Sequence, residues 1–156
     1  HCATMRFLCL SLFFASALSA VAAGLDVVRV WPEYRKAESF ERISEYLSGE
    51  ENTGGQLVLR SQKDKRDGYY FLVRVKNHAA AEQGCTWQVE VILPSSPTPQ
   101  VFSLPTDLRA GGSVYQLGVT GTDWPGAEIV PVAWKLTLKA ADGRELVTRQ
   151  SFLWSK

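Results

Sequence analysis

The chain has 156 residues, with 17 Lys and Arg against 16 Asp and Glu, a formal net charge of +1, and three cysteines. So even a balance, with no basic patch, gives no electrostatic case for nucleic acid. Lys63, Lys65 and Arg66 stand close together, but Asp64 and Asp67 interleave them, as in a solvated loop.

Residues 1–4 precede Met5, the one methionine, and read as upstream read-through or a cloning scar. Residues 5–23 have the order of a secretory signal peptide: basic Arg6, apolar Phe7 to Leu18, then the small run Ser19 to Ala23. The apolar run is short for a span of about 20 residues. Cleavage is expected after Ala22 or Ala23, with release to the periplasm or the exterior and no stable membrane insertion afterwards. Cys9 sits at the wrong end of the run for a lipid anchor. About 130 residues remain, enough for one domain with its own core. Cys85 is then the sole cysteine, so no intrachain disulfide forms and burial must hold the fold.

Residues 24–55 predict an N-terminal strand and a helix. Leu25 to Trp31 is β-branched and strand-like, and Pro32 ends it. Ala37 to Ser48 places Phe40, Ile43, Tyr46 and Leu47 on one helical face, with Gly49 at the C-cap position. That apolar stripe needs a partner, and the sandwich is the one available. Glu50 to Gly55 reads as a polar loop.

Residues 56–156 read as strand after strand. Leu57 and Leu59 alternate with Val58 and Arg60, and a charged loop, Gln62 to Asp67, follows. Tyr69, Phe71, Val73 and Val75 then alternate with Tyr70, Leu72, Arg74 and Lys76. A soft loop, Asn77 to Gly84, leads to Trp87, Val89 and Val91. Pro94, Pro97 and Pro99 predict an extended connection at a sandwich edge. Val101 to Leu104 is a short strand, Gly111-Gly112 a turn, and Tyr115, Leu117 and Val119 the next inward face. Trp124-Pro125-Gly126-Ala127 suits a type II turn.

The last hairpin carries the clearest pattern. Val130, Val132, Trp134, Leu136 and Leu138 alternate with mostly small or polar residues, and Glu145 to Trp154 is the returning strand. Ala141-Asp142-Gly143 fits a three-residue loop closed by a bulge glycine. That loop sets Leu138 opposite Leu146, Leu136 opposite Thr148, Val132 opposite Phe152 and Val130 opposite Trp154. The shifted pairing, Leu136 with Arg149 and Trp134 with Ser151, wastes the apolar face.

Seven such strands in regular succession predict a mainly β, antiparallel sandwich with the N-terminal strand and helix docked on it. Trp87 early in the third strand, Tyr115-x-Leu117, the turn at Trp124 to Gly126 and the final hairpin resemble the immunoglobulin-like and fibronectin type III-like superfold. The resemblance covers Gln56 to Trp154. Two features depart from it. The second and sixth strands lack the paired cysteines, and the sixth strand has Trp134 where a tyrosine corner needs a hydroxyl.

Catalytic machinery is hard to find. His78 and Cys85 share a loop with Glu82, a thiol-imidazole set in outline. A mobile loop entering a strand, with Cys85 half buried, explains them as well. One His and one Cys are too few for zinc, and Asp123 with Glu128 has no calcium-motif spacing. The expectation is a non-enzymatic chain with no cofactor and no metal. The aromatics offer more. Tyr69, Trp87 and Trp134 fall in the core register, whereas Trp124, Tyr70 and Trp31 have no inward register. Exposed flat rings there would bind a ligand, stacking on sugar or anchoring a protein. The competing structural reading folds Trp124 over the end of the core and packs Trp31 on the helix. The functional expectation is an exported, protein-binding module of the cell envelope. The alternative is a carbohydrate-binding module, so the partner is a protein or a glycan.

Overall fold

A computed structural model describes residues 24–40 and 55–155. The predicted signal peptide and all but the first turn of the predicted helix lie outside the described residues. Among these, eight strands form two sheets. They are β1 (Leu25–Arg35), β2 (Leu57–Arg60), β3 (Gly68–Asn77), β4 (Glu82–Leu93), β5 (Ser96–Leu108), β6 (Gly111–Thr120), β7 (Ala133–Lys139) and β8 (Glu145–Gln150). The first sheet has the order β1-β3-β6-β2 and the second β5-β4-β7-β8. The chain is therefore the mainly β sandwich its alternation predicts, with eight strands in the two layers rather than seven.

Period-two patterning puts one face of each central strand between the layers. Phe71, Val73 and Val75 of β3, Trp87, Val89 and Val91 of β4, Tyr115, Leu117 and Val119 of β6, and Leu136 and Leu138 of β7 are all buried in one cluster. Trp134 is half-buried and packs on Phe71, with centroids 5.5 Å apart.

The N-terminal strand is a member of the first sheet, not an attachment to it. β1 pairs antiparallel with β3 from Leu25↔Asn77 to Arg35↔Gly68, and it passes through Pro32 instead of stopping there. An edge strand tolerates a missing ladder donor, and β1 is an edge. The same tolerance admits Pro97, Pro99 and Pro105 into β5, the opposite sheet's edge, so the expected proline-rich connection is itself strand.

One pairing is parallel. β2 and β3 are not neighbours, because β6 lies between them, antiparallel to β3 and parallel to β2. The connection Ser61 to Asp67 therefore crosses the end of β6 rather than closing a hairpin. Thr120 pins it: its Oγ1 donates to Gln62 O (2.9 Å), and its backbone N–H donates to Ser61 Oγ (2.9 Å). Lys63, Asp64 and Lys65 remain solvated, as their alternating charge predicts.

The final hairpin begins as predicted and then slips. Gly143 has φ +88°, its N–H donates to Ala140 O (2.9 Å), and Lys139 faces Glu145. Leu146 then bulges, so Leu138 faces Val147, Leu136 faces Arg149, and Ser151 N–H donates to Trp134 O (2.9 Å). This is the pairing that, by alternation alone, wastes apolar surface. It wastes little, because β8 is an edge strand in which only Leu146 and Val147 are packed on the core. The chain leaves β8 at Gln150 and turns into a 3-10 segment, Phe152–Ser155, in place of the expected longer strand. The turn before β7 also moves. Gly126 has no positive φ, and the hydrogen bond runs from Ile129 N–H to Gly126 O (3.2 Å), so no type II turn forms at Pro125-Gly126.

Of the predicted helix, the described part, Ala37–Phe40, is a 3-10 turn. Its Phe40 is buried, with its ring 4.8 Å from that of Tyr70.

Candidate functional site

Two of the three rings expected at the surface are inside. Tyr70 is 1% exposed and Trp124 4%. Tyr70 does point away from the inter-sheet core, as its register requires, but that outer face is covered. Phe40 lies on its ring, and Gly118 of β6 offers no side chain to hold the ring off, so that a Cβ there would stand 2.5 Å from Tyr70 Cε1. Its hydroxyl accepts from Arg60 Nε (2.7 Å) and donates to Arg66 O (2.7 Å). Trp124 follows a 3-10 turn, Gly121–Asp123, and stacks on Tyr69 across the end of the core, as the structural reading of that ring has it.

Trp31 is the ring that reaches the outer surface. It stands on β1 opposite Leu72 and is half-buried. Two guanidinium groups lie over it, Arg29 at 4.3 Å and Arg74 at 5.7 Å from its centroid. The three rings thus share no exposed face.

His78 and Cys85 have separate surroundings. His78 Nε2 is 3.4 Å from Asp26 Oδ2 on the exposed turn after β3. Cys85 is buried in β4, and its thiol donates to Glu82 O (3.6 Å). Burial first, and then the Glu82 carboxylate, push the thiol pKa upward. That is the opposite of what a thiolate nucleophile needs. Among the described residues, no group of three or more His, Cys, Asp or Glu stands together. No described helix is long and apolar enough to cross a membrane.

Alternation in the sequence missed an exposed apolar surface. Val130 is 62% exposed, Val132 48% and Leu153 51%, with Phe152 beside Leu153 also exposed. Val132 N–H donates to Ile92 O (2.8 Å), which lays the lead-in to β7 along the end of β4. Ser151 N–H on Trp134 O starts the 3-10 segment at that same end of the second sheet. The expected pairing of Val132 with Phe152 places both inward, and the slipped register with the early end of β8 turns them out.

Tyr115 of β6 supplies a hydroxyl tie that Trp134, on β7, cannot make. Its Oη donates to Asp107 O (2.9 Å) and fastens the middle of β6 to the end of β5. Burial is the main cause of its raised pKa.

No protein-family model and no curated protein matches the chain. Among solved structures it is similar to an immunoglobulin-like protein from Pseudomonas aeruginosa, with 19% identity and a TM-score of 0.33 over 83% of this chain and 95% of that one.

Proposed function

We propose that the chain is an exported, non-enzymatic module of the cell envelope that binds a protein partner through the apolar end of its second sheet. The observation that carries this reading is the exposure of Val130, Val132 and Leu153, on two segments that backbone hydrogen bonds bring to the same end of the second sheet. Apolar side chains exposed on neighbouring segments of a folded domain are characteristic of interaction surfaces. Export rests on the basic, apolar, small order of residues 5–23. The buried, protonated Cys85 is in keeping with a role other than catalysis. Glycan binding has less support, because burial of Tyr70 and Trp124 leaves Trp31 alone for stacking, with guanidinium groups on its ring.

The test is site-specific photo-crosslinking of the exported protein. A photoreactive residue at Val132 or Leu153 is expected to give one discrete protein adduct, absent when the probe replaces Lys76 on the other sheet. Light scattering separates a self-adduct from a second protein. A monomer with no adduct at either position, or with the same adducts at Lys76, removes the proposal. Mass spectrometry of the exported chain is expected to find Ala23 or Gly24 first, and an intact Met5 in membranes would replace export with anchoring.

A further inference from the structure

The first sheet carries a second feature, independent of the apolar end. β2 begins pairing with β6 only at Leu57↔Tyr115, so the segment of β6 before Tyr115 has no described strand on that side. A cavity of about 380 Å³ fills this notch, lined among others by Gln56, Arg74, Arg109, Gly112 and Ser113. That volume suits a small ligand. The space beside Gly55 and Gly112 is open, since a Cβ on either would meet nothing within 4 Å.

The polar side chains around the notch are all capable of donating. Arg74 is held by the Trp31 ring, and the backbone of Arg109 is held by Asn77, whose Nδ2 donates to Arg109 O (3.1 Å). Neither guanidinium has a carboxylate partner among the described residues. Gln56 Oε1 already accepts from Gln116 Nε2, which leaves the amide nitrogen of Gln56 as a donor. Ser113 stands opposite Val75, so its buried hydroxyl faces the inter-sheet side and is not one of these donors. No Asp or Glu lines the cavity.

We infer that this notch is a binding site for an oxyanion, a phosphate- or carboxylate-bearing small ligand held between Arg74 and Arg109 with the amide nitrogen of Gln56 as a further donor. Two planar guanidinium forks and a neutral donor, with no competing carboxylate, are the chemistry that such groups take. A cation is repelled by that set, and a neutral sugar forgoes the charge assistance that an oxyanion gains from it.

The test uses the whole exported chain, isotope-labelled, titrated separately with inorganic phosphate and with citrate, with potassium chloride at matched ionic strength as reference. Both anions are expected to shift the Gly112, Ser113 and Arg109 amides saturably, and the tighter of the two identifies the class. Arg109→Gln is expected to weaken binding at least about tenfold, the loss of one charge-assisted contact. Arg29→Gln removes the other cation over Trp31 but does not line the cavity, so it is expected to leave binding unchanged. If the shifts follow chloride equally, fail to saturate, or persist undiminished in Arg109→Gln, the inference falls and the notch is a solvated turn. Amide spectra of each variant show whether the fold is kept, and Arg74→Lys, which keeps the charge and loses the fork, gives a second reading if Arg109→Gln does not fold.

Discussion

Tyr69 and Trp124 lie face to face, their ring centroids 4.7 Å apart and their planes 24° from parallel. Tyr69 belongs to β3 and Trp124 to the segment that leaves β6, so the stack closes the end of the core between the two sheets. The chain reaches that position through Gly121 at φ +61°, a left-handed conformation that a side chain resists. Trp124→Ala removes the lid, and its expected cost is about 3–5 kcal/mol by urea denaturation. A loss below about 1 kcal/mol is surface behaviour and would return Trp124 to the list of exposed rings.

Tyr70 sits in a polar clasp under an apolar cover. Tyr70→Phe leaves the Arg66 carbonyl and the Arg60 guanidinium each one partner short, and the expected cost is about 1–3 kcal/mol. Gly118→Ala presses a methyl into the ring, with an expected cost of about 1–3 kcal/mol. In a Tyr70→Leu background the second substitution should cost clearly less, because the atom it strikes is gone. Strict additivity in the double-mutant cycle would deny the contact.

Alkali is expected to weaken the fold before mild acid does. Burial raises the Cys85, Tyr69 and Tyr115 pKa values from their ordinary 9.0, 10.0 and 10.0. Each group is still neutral in the folded chain when the unfolded chain has begun to ionise. Their contribution is complete below the unfolded values and is lost as pH rises through the folded ones. The melting temperature should therefore hold up to about pH 9 and fall above it. A rise above that pH contradicts the assignment. Cys85 should resist alkylation until the chain unfolds, and dithiothreitol should leave the melting temperature unchanged.

The bulge at Leu146 has a direct signature. Lys135 faces Gln150 and Thr137 faces Thr148, with Trp134 and Ser151 sharing a ladder hydrogen bond. The α-protons of Lys135 and Gln150 should then give a strong cross-strand signal, since pairs next to a hydrogen-bonded one approach most closely. A contact of Leu136 with Thr148 instead would restore the register derived from the turn alone.

Removing residues up to Gly49 should unfold the rest. The deletion strips β3 of β1 along its whole length and takes Phe40 off Tyr70. The truncated chain, Glu50 to Lys156, is expected to aggregate or to lose its cooperative melt in circular dichroism. If it melts like the full exported chain, β1 is dispensable and the N-terminal segment serves another end.

The alternation along β3, β4, β6 and β7 was enough to assign their core faces, because a central strand has a side-chain period of two and one face buried between layers. Phe71, Val73, Trp87, Val89 and Leu117 followed from that period without knowledge of any neighbour. The rule fails where burial depends on a remote segment or on position in the sheet. Tyr70 has an outward register, yet Phe40 from a distant part of the chain covers it. Val130 and Val132 have the inward pattern, yet the edge position of β8 and its bulge leave them in solvent. Strand order is equally non-local. Whether β2 lies beside β3 or beyond β6 changes no residue in either strand, but it decides that one described pair is parallel and that the start of β6 has no described strand on that side, where Arg74 and Arg109 line a notch. Local chemistry sets which way a side chain points along its own strand, and only the assembled sheets set what stands in front of it.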